Sequence, residues 1–214
     1  MRDAYHEELD ALTDKLVEMT RLVRSAISRA TIALLDADLQ LAESVISRDA
    51  EVNAIFEEIE TTIFDLMARQ QPVAMDLRLV ITALRMGTDL ERMGDLAVHV
   101  AKVARLRHPD SAIPAEIRST ILEMGQIAEN LVTKAGSSVA ARDVDSAMEL
   151  EQDDDAMDRL HRRLFKTILA KDWSHGVEPA IDITLIGRYY ERYADHAVRV
   201  ATSVVYLVTG TRTP

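Results

Sequence analysis

The stretch DLERMGDLAVHVAKVARL, Asp89–Leu106, decides the fold, because a hundred residues later the chain reads YYERYADHAVRVATSVVYL, Tyr189–Leu207. Glu91, Arg92 and Asp95 fall on Glu191, Arg192 and Asp195, Gly87 falls on Gly187, and Val98, Val100 and Ala101 fall on Val198, Val200 and Ala201. In both copies apolar residues recur at steps of three and four, the spacing of one face of an α-helix. Each copy also stacks two carboxylates four residues apart, which places them on a common face.

The repetition extends outward. ADLQLAESVISRDAEVN (37–53) aligns with RDVDSAMELEQDDDAMD (142–158) at an offset of 105, matching Asp38 with Asp143, Ala42 with Ala147, Asp49 with Asp154 and Asn53 with Asp158. Each half is therefore one three-helix unit. The change of offset from 105 to 100 predicts a connection between the second and third helices that is five residues shorter in the second copy. Periodicity and break signals predict helices over about 3–36, from 38 to 68, from 73 to 106, over 115–141, from 143 to 171 and from 180 to 208. Asp38 and Asp143 are placed to cap the second and fifth helices. Asp172–Pro179, containing Trp173 and Gly176, reads as a loop, as does Gln70-Gln-Pro72. The stretch RHPDSAIPAE (Arg107–Glu116) holds two prolines in ten residues, and the boundary between units 1–108 and 109–214 is placed there. The expected architecture is all-α: two tandem antiparallel three-helix bundles of the spectrin-repeat kind.

Composition agrees. Hydrophobic residues make up 48% of the 214 and aromatic ones only 4%, with seven glycines, which suits packed helices better than a sheet. The net charge of −11 argues against nonspecific binding of nucleic acid and against insertion into or adhesion to an anionic membrane. The absence of cysteine removes disulfides, thiolate metal sites and cysteine nucleophiles, and suits a cytoplasmic protein. The N-terminus lacks an apolar signal-peptide core, and no apolar run approaches the roughly 18–20 residues of a membrane span.

Two readings of the stacked carboxylates stay open. In the first they are intrahelical ion pairs: Asp95 has Arg92 three residues back, Asp195 has Arg192 and Arg199, and Glu191 has Arg188. In the second they are ligands. Asp49, Glu91 and Asp154 have no cation at three or four residues in either direction, and they recur in matching places. Each unit would carry an acidic pair on its second helix and another on its third: Asp49/Asn53 with Glu91/Asp95, and Asp154/Asp158 with Glu191/Asp195. Oxygen donors converging from two helices suit a hard or borderline divalent cation. Asn53 is a poorer ligand than Asp158. No Glu-x-x-His pair of a di-iron bundle occurs, and His99 and His196 read as surface or partly buried histidines. Met86, Met93 and Met124 read as core filler. Gly87 and Gly187, costly inside helices, point to close helix–helix approach. No phosphate-cradling glycine loop, nucleophile elbow or triad appears, and GSS at 136–138 reads as a helix end.

QPVAMDLR (Gln71–Arg78), LERMGDLA (Leu90–Ala97) and YERYADHA (Tyr190–Ala197) resemble the PhoU family of phosphate-uptake regulators, over nearly the whole chain. The resemblance implies a cytoplasmic, usually dimeric, non-catalytic protein that restrains phosphate-starvation signalling. It further implies an adaptor between the ATPase subunit of a phosphate ABC transporter and a membrane sensor histidine kinase. Some members of that family bind metal, iron clusters included, through Glu/Asp-x-x-x-Asp motifs. Glu91/Asp95, Asp154/Asp158 and Glu191/Asp195 fit the motif, and Asp49/Asn53 departs from it at its second position. The rival expectations are a metal-binding helical-bundle enzyme or metal store, and a purely structural helical scaffold.

Overall fold

A computed structural model describes residues 2–211. Six helices follow one another: α1 (Arg2–Asp36), α2 (Leu39–Gln70), α3 (Ala74–Arg107), α4 (Arg118–Ala141), α5 (Val144–Ile168) and α6 (Val177–Thr209). No strand occurs among the described residues.

The helix starts follow from local chemistry. The Asp38 carboxylate accepts the Leu41 N–H at 2.9 Å, and the Asp143 carboxylate accepts the Ser146 N–H at 3.1 Å. Each satisfies a backbone donor that the first turn would leave unpaired. The preceding residues, Ala37 and Arg142, both take φ 52, so the same left-handed turn links the first two helices of each copy. Pro179, expected in a loop, lies in the first turn of α6, where its missing N–H costs nothing. Helix α4 starts three residues later than expected, because Pro114 opens a turn closed by the Ile117 N–H at 3.0 Å.

The expected shorter second connection is corrected by the structure. The shortening lies in the helix: α5 has 25 residues against 32 in α2, while its connection to α6 spans 169–176 against 71–73 in the first copy. Ser174 and Gly176 are poor helix formers, and Trp173 folds back to donate its indole N–H to the Gly176 carbonyl at 2.7 Å.

Helices α1, α3, α6 and α4 pack in a ring, in that order, and α2 and α5 brace it from outside, α2 on α1 and α3, α5 on α4 and α6. One apolar core runs through both copies, from Leu16, Met19 and Ile27 through Leu90 and Met93 to Met124 and Leu131. The expected core methionines Met86, Met93 and Met124 are all buried there. Tyr190 and Tyr193 of α6 cross this core to α1. The Tyr190 hydroxyl shares a 2.6 Å hydrogen bond with Thr31 Oγ1, and the Tyr193 hydroxyl donates to the Val23 carbonyl at 3.0 Å. Burial pushes both phenols above their ordinary range.

The copies meet along two antiparallel seams, each of which maps onto itself when the copies are exchanged. On the α1–α4 seam Thr31 lies over Gly125 and Thr20 over Gly136; at the offset of 105 Thr20 corresponds to Gly125 and Thr31 to Gly136. Gly136, expected to end a helix, sits inside α4 with its backbone against Thr20. On the α3–α6 seam Arg107 grips Asp182 at 2.6 and 3.1 Å and also pairs with Glu178. At the other end Arg78 donates to the Leu207 carbonyl at 3.4 Å. His196 is buried on this seam, with Nδ1 2.7 Å from Asp89, while exposed His99 stacks on Tyr189. The expectation of a surface or partly buried histidine therefore holds for His99 and is corrected for His196. The proline-bearing segment between the copies is tied down: Ala112, Ile113 and Ile117 are buried in the shared core.

Candidate functional site

The pattern of buried and exposed positions over 81–100 repeats at 181–200, differing only at Ile81/Ile181 and Val98/Val198. The repeated motif thus presents the same face in both copies. Glu91 and Asp95 of α3 turn toward α2, and Glu191 and Asp195 of α6 turn toward α5.

In the first copy Asp49 sits against α3 because Gly94 leaves room for it. A Cβ at Gly94 would stand 2.9 Å from Asp49 Oδ1. Asn53 donates its amide to Asp49 Oδ2 at 3.2 Å, and its own Oδ1 is buried without a hydrogen-bond partner. Burial, then the neighbouring Asp95 charge, raises the Asp49 carboxyl above its ordinary range, and Lys102 opposes the shift. Glu91 is raised as well, by burial first and then by Asp95, with Asp49 and Glu60 adding to the effect and Arg92 opposing it. The four residues singled out by the repeat are therefore brought together between α2 and α3.

The second copy assembles its four in the same way. Asp154 is pushed up to about 6, by burial first and then by the charges of Asp195, Asp158, Glu191 and Asp155. Asp158 lies at the exposed edge of the group, and Ala194 stands where the first copy has Gly94. The second group carries four carboxylates, the first three and an amide.

The ion-pair reading covers part of these groups. Arg92 Nη1 lies 2.8 Å from Asp95 Oδ2, and Arg188 pairs with Glu191. Glu91, expected to lack a local cation, has the adjacent Arg92 Nε at 3.6 Å. Asp195 forms no ion pair with Arg192 or Arg199; Arg199 instead points to Asp89 at 3.9 Å. Asp49 and Asp154 likewise form no ion pair among the described residues. Among those residues no three His, Asp or Glu side chains stand as a preformed metal cage. The groups offer oxygen donors and excess negative charge, together with an orphaned amide oxygen at Asn53, rather than finished coordination.

Four neighbours escape a reading by motif alone: Gly94, Lys102, and the pair Phe56 and His161. The last was legible through the offset of 105. Phe56 covers Gly87, where a Cβ would meet its ring at 2.9 Å, and His161 with Leu164 covers Gly187 at 3.1 and 3.0 Å. The close approach expected at both glycines is present. His161 Nε2 is buried there without a hydrogen-bond partner among the described residues.

Comparison with known proteins agrees with this duplicated layout. A family model described as the PhoU domain matches twice, over residues 16–104 and 121–204. The phosphate-specific transport system accessory protein PhoU homolog 2 of Mycobacterium tuberculosis is 48% identical over 210 residues, covering 98% of this chain and 99% of that protein. The crystal structure of PhoU from Pseudomonas aeruginosa superposes with a TM-score of 0.85 at 30% identity, covering 97% of this chain and 100% of the other. The phosphate transport system regulatory protein PhoU from Streptococcus pneumoniae gives a TM-score of 0.87 at 27% identity, covering 98% and 99%.

Proposed function

Since the chain belongs to the PhoU family, we propose that it is a non-catalytic regulator of phosphate uptake and of phosphate-starvation signalling. In this reading it works in the cytoplasm as a homodimer. It links the ATPase subunit of a phosphate ABC transporter to a sensor histidine kinase and holds starvation genes off when phosphate is plentiful. The observation that carries the reading is the full-length match, both copies included, to proteins named for phosphate transport and its regulation. The build of the molecule supports it: a single core braced by long helices presents stable outer faces. No helix of the described residues is long and apolar enough to cross a membrane, so membrane partners would have to be met from the side of their soluble parts.

Deletion of the gene, alone and together with any second family member in the same organism, tests this. Starvation genes are expected to be expressed, and phosphate uptake to run unrestrained, in phosphate-rich medium, with both restored by the wild-type gene. Silent genes and normal uptake in the double deletion would sink the regulator reading.

The two acidic groups are proposed to hold metal, as a divalent cation or an iron cluster. Asp154, Asp158, Glu191 and Asp195 would hold it in the second copy, and Asp49, Glu91, Asp95 and the Asn53 carbonyl would do so more weakly in the first. The chemistry fits: oxygen donors of hard character and mutual repulsion that a cation would offset. When bound, the ion would supply charge neutralisation and a tie between the bracing helix and the ring. Metal content of protein purified without chelator or histidine tag is the measurement. Metal lost on changing Glu91, Asp95, Glu191 and Asp195 to alanine, with helicity retained, is the expected result; equal content in both proteins would remove the site.

A further inference from the structure

The outer face of α5 carries Arg159, Arg162, Arg163 and Lys166 at spacings of i, i+3, i+4 and i+7, so four cations form one exposed stripe. None of the four is in an ion pair or side-chain hydrogen bond among the described residues, in a chain of net charge −11. Together with the 169–176 connection they line a groove of about 700 Å³ that also takes in Trp173, Glu116 and Asp172. Trp173 is a fixed wall: its N–H is bonded to the Gly176 carbonyl, and its ring stands edge-on to His175 with centroids 4.8 Å apart. The Glu116 carboxylate is engaged by His175 and is not turned to the arginines.

The repeat supplies an internal control. At the offset of 105 the first copy has Ala54, Glu57, Glu58 and Thr61 in these places, all equally exposed. The fold therefore does not require cations there. Like charges at this spacing cost a helix about 0.2–0.5 kcal/mol per pair, and none of the four is ion-paired to a carboxylate among the described residues. The extended connection that walls the groove is also peculiar to the second copy.

We propose that this groove is a docking site for an acidic segment of a partner protein. The stripe runs about 10 Å along α5, enough to meet carboxylates on two turns of a helix or on a short extended stretch. The volume is far larger than one tetrahedral anion, and all four cations are exposed and held by no ion pair among the described residues, so nothing in the groove is built around a small ion. The groove is concave and set in a net-acidic molecule, which disfavours a flat anionic bilayer. The proposal leans on the regulator reading only for there being a protein partner; the charge and shape of the groove stand apart from it.

The test uses the full chain and a short fluorescein-labelled helical peptide with glutamates at i, i+3, i+4 and i+7 flanked by leucines, followed by fluorescence anisotropy. Saturable binding is expected. It should weaken at least about tenfold in R162E/R163E, weaken with added salt, survive in R162K/R163K, and vanish for the peptide with glutamines in place of glutamates. Circular dichroism checks the fold, and R162Q/R163Q stands in should the charge reversal unfold it. Four results would overturn the proposal: indifference of peptide binding to R162E/R163E; complete displacement of the peptide by millimolar inorganic phosphate, which marks a small-anion site; a wild-type dimer that R162E/R163E turns into a monomer by light scattering, which makes the occupant a second copy; and binding to phosphatidylglycerol vesicles, lost in R162E/R163E, without peptide binding. These readouts are independent of the deletion phenotype, so either idea can fail without the other.

Discussion

Changing Gly125 and Gly136 together to alanine is expected to lower the stability of the chain by about 4 kcal/mol, although alanine is the better helix former. Intrinsic propensity alone predicts the opposite, a gain of about 1 kcal/mol at each position. The geometry of the α1–α4 seam decides against it. A Cβ at Gly125 would lie 2.6 Å from Thr31 Cγ2, 2.7 Å from its Oγ1 and 3.1 Å from its Cβ. Rotation about χ1 cannot clear all three, because the threonine Cβ does not move with that angle. A Cβ at Gly136 would lie 2.5 Å from Thr20 Oγ1 and 3.1 Å from its Cβ. The helices must part, and overpacking of this kind costs about 1–3 kcal/mol, here at the upper end or beyond. A cost of about 3 kcal/mol less the propensity gain leaves about 2 kcal/mol per site. The glycines are 11 residues apart, roughly 16 Å along α4, so the two effects should add. For a chain of this size the melting temperature should fall by about 8–16 °C. Thr20→Ala should restore most of the loss in Gly136→Ala, because among the described residues the Thr20 hydroxyl bonds only its own helix, at the Val17 carbonyl. Thr31→Ala should rescue Gly125→Ala less well, since it gives up the bond to Tyr190. Calorimetry showing an unchanged or raised melting temperature in the double variant would mean that the seam is loose and propensity governs.

That seam also shows where a linear reading stops. The starts of α2 and α5 were legible because Asp38 and Asp143 act locally, whereas those of α4 and α6, beside Pro114 and Pro179, lie three residues from where the sequence put them. The duplication was legible because Glu-Arg-x-x-Asp and its flanks survive at a constant offset. Which helices of the two copies meet was not, because that depends on a steric match between residues more than a hundred positions apart: Thr20 with Gly136, and Tyr193 with the Val23 carbonyl. His196 was misjudged for the same reason, since its partner Asp89 belongs to the other copy. The acidic groups were legible as pairs, and the offset made them quartets, yet the sequence did not show that Gly94 admits Asp49 or that Lys102 approaches it. The basic stripe was hidden by its neighbours. Asp155 and Asp158 precede Arg159 and Arg162 by four residues and look like adequate partners, but in the folded chain both act on Asp154 and neither pairs with the arginines.

Asp154→Asn is expected to stabilise the metal-free protein at neutral pH and to destabilise it relative to wild type once metal is supplied. Asp154 is held at about 6 in the folded chain against 3.8 ordinarily, by burial and by Asp195, Asp158, Glu191 and Asp155 around it. Between these two values the native state keeps a proton that the unfolded chain has released. The stability linked to this group is therefore complete below about pH 4 and is lost as the pH rises through about 6. A shift of this size would amount to about 3 kcal/mol at full burial; for a half-buried group, solvent screening reduces it to about 1–2 kcal/mol. Asparagine keeps the shape and removes the charge. Denaturant melts in chelator should thus show the variant more stable by about 1–2 kcal/mol at pH 7, with the two proteins converging at pH 4. Adding manganese(II) at pH 7 should reverse the order. A cation that binds only the folded state adds stability in proportion to the logarithm of its concentration over Kd, and under the proposed metal site the variant would lack one ligand. A variant less stable than wild type in chelator would mean that Asp154 has a favourable partner in solution. Stabilisation in chelator without any response to metal would mean that the strained carboxylates of the second copy serve contacts with another protein, and that the excess charge is kept for that contact alone.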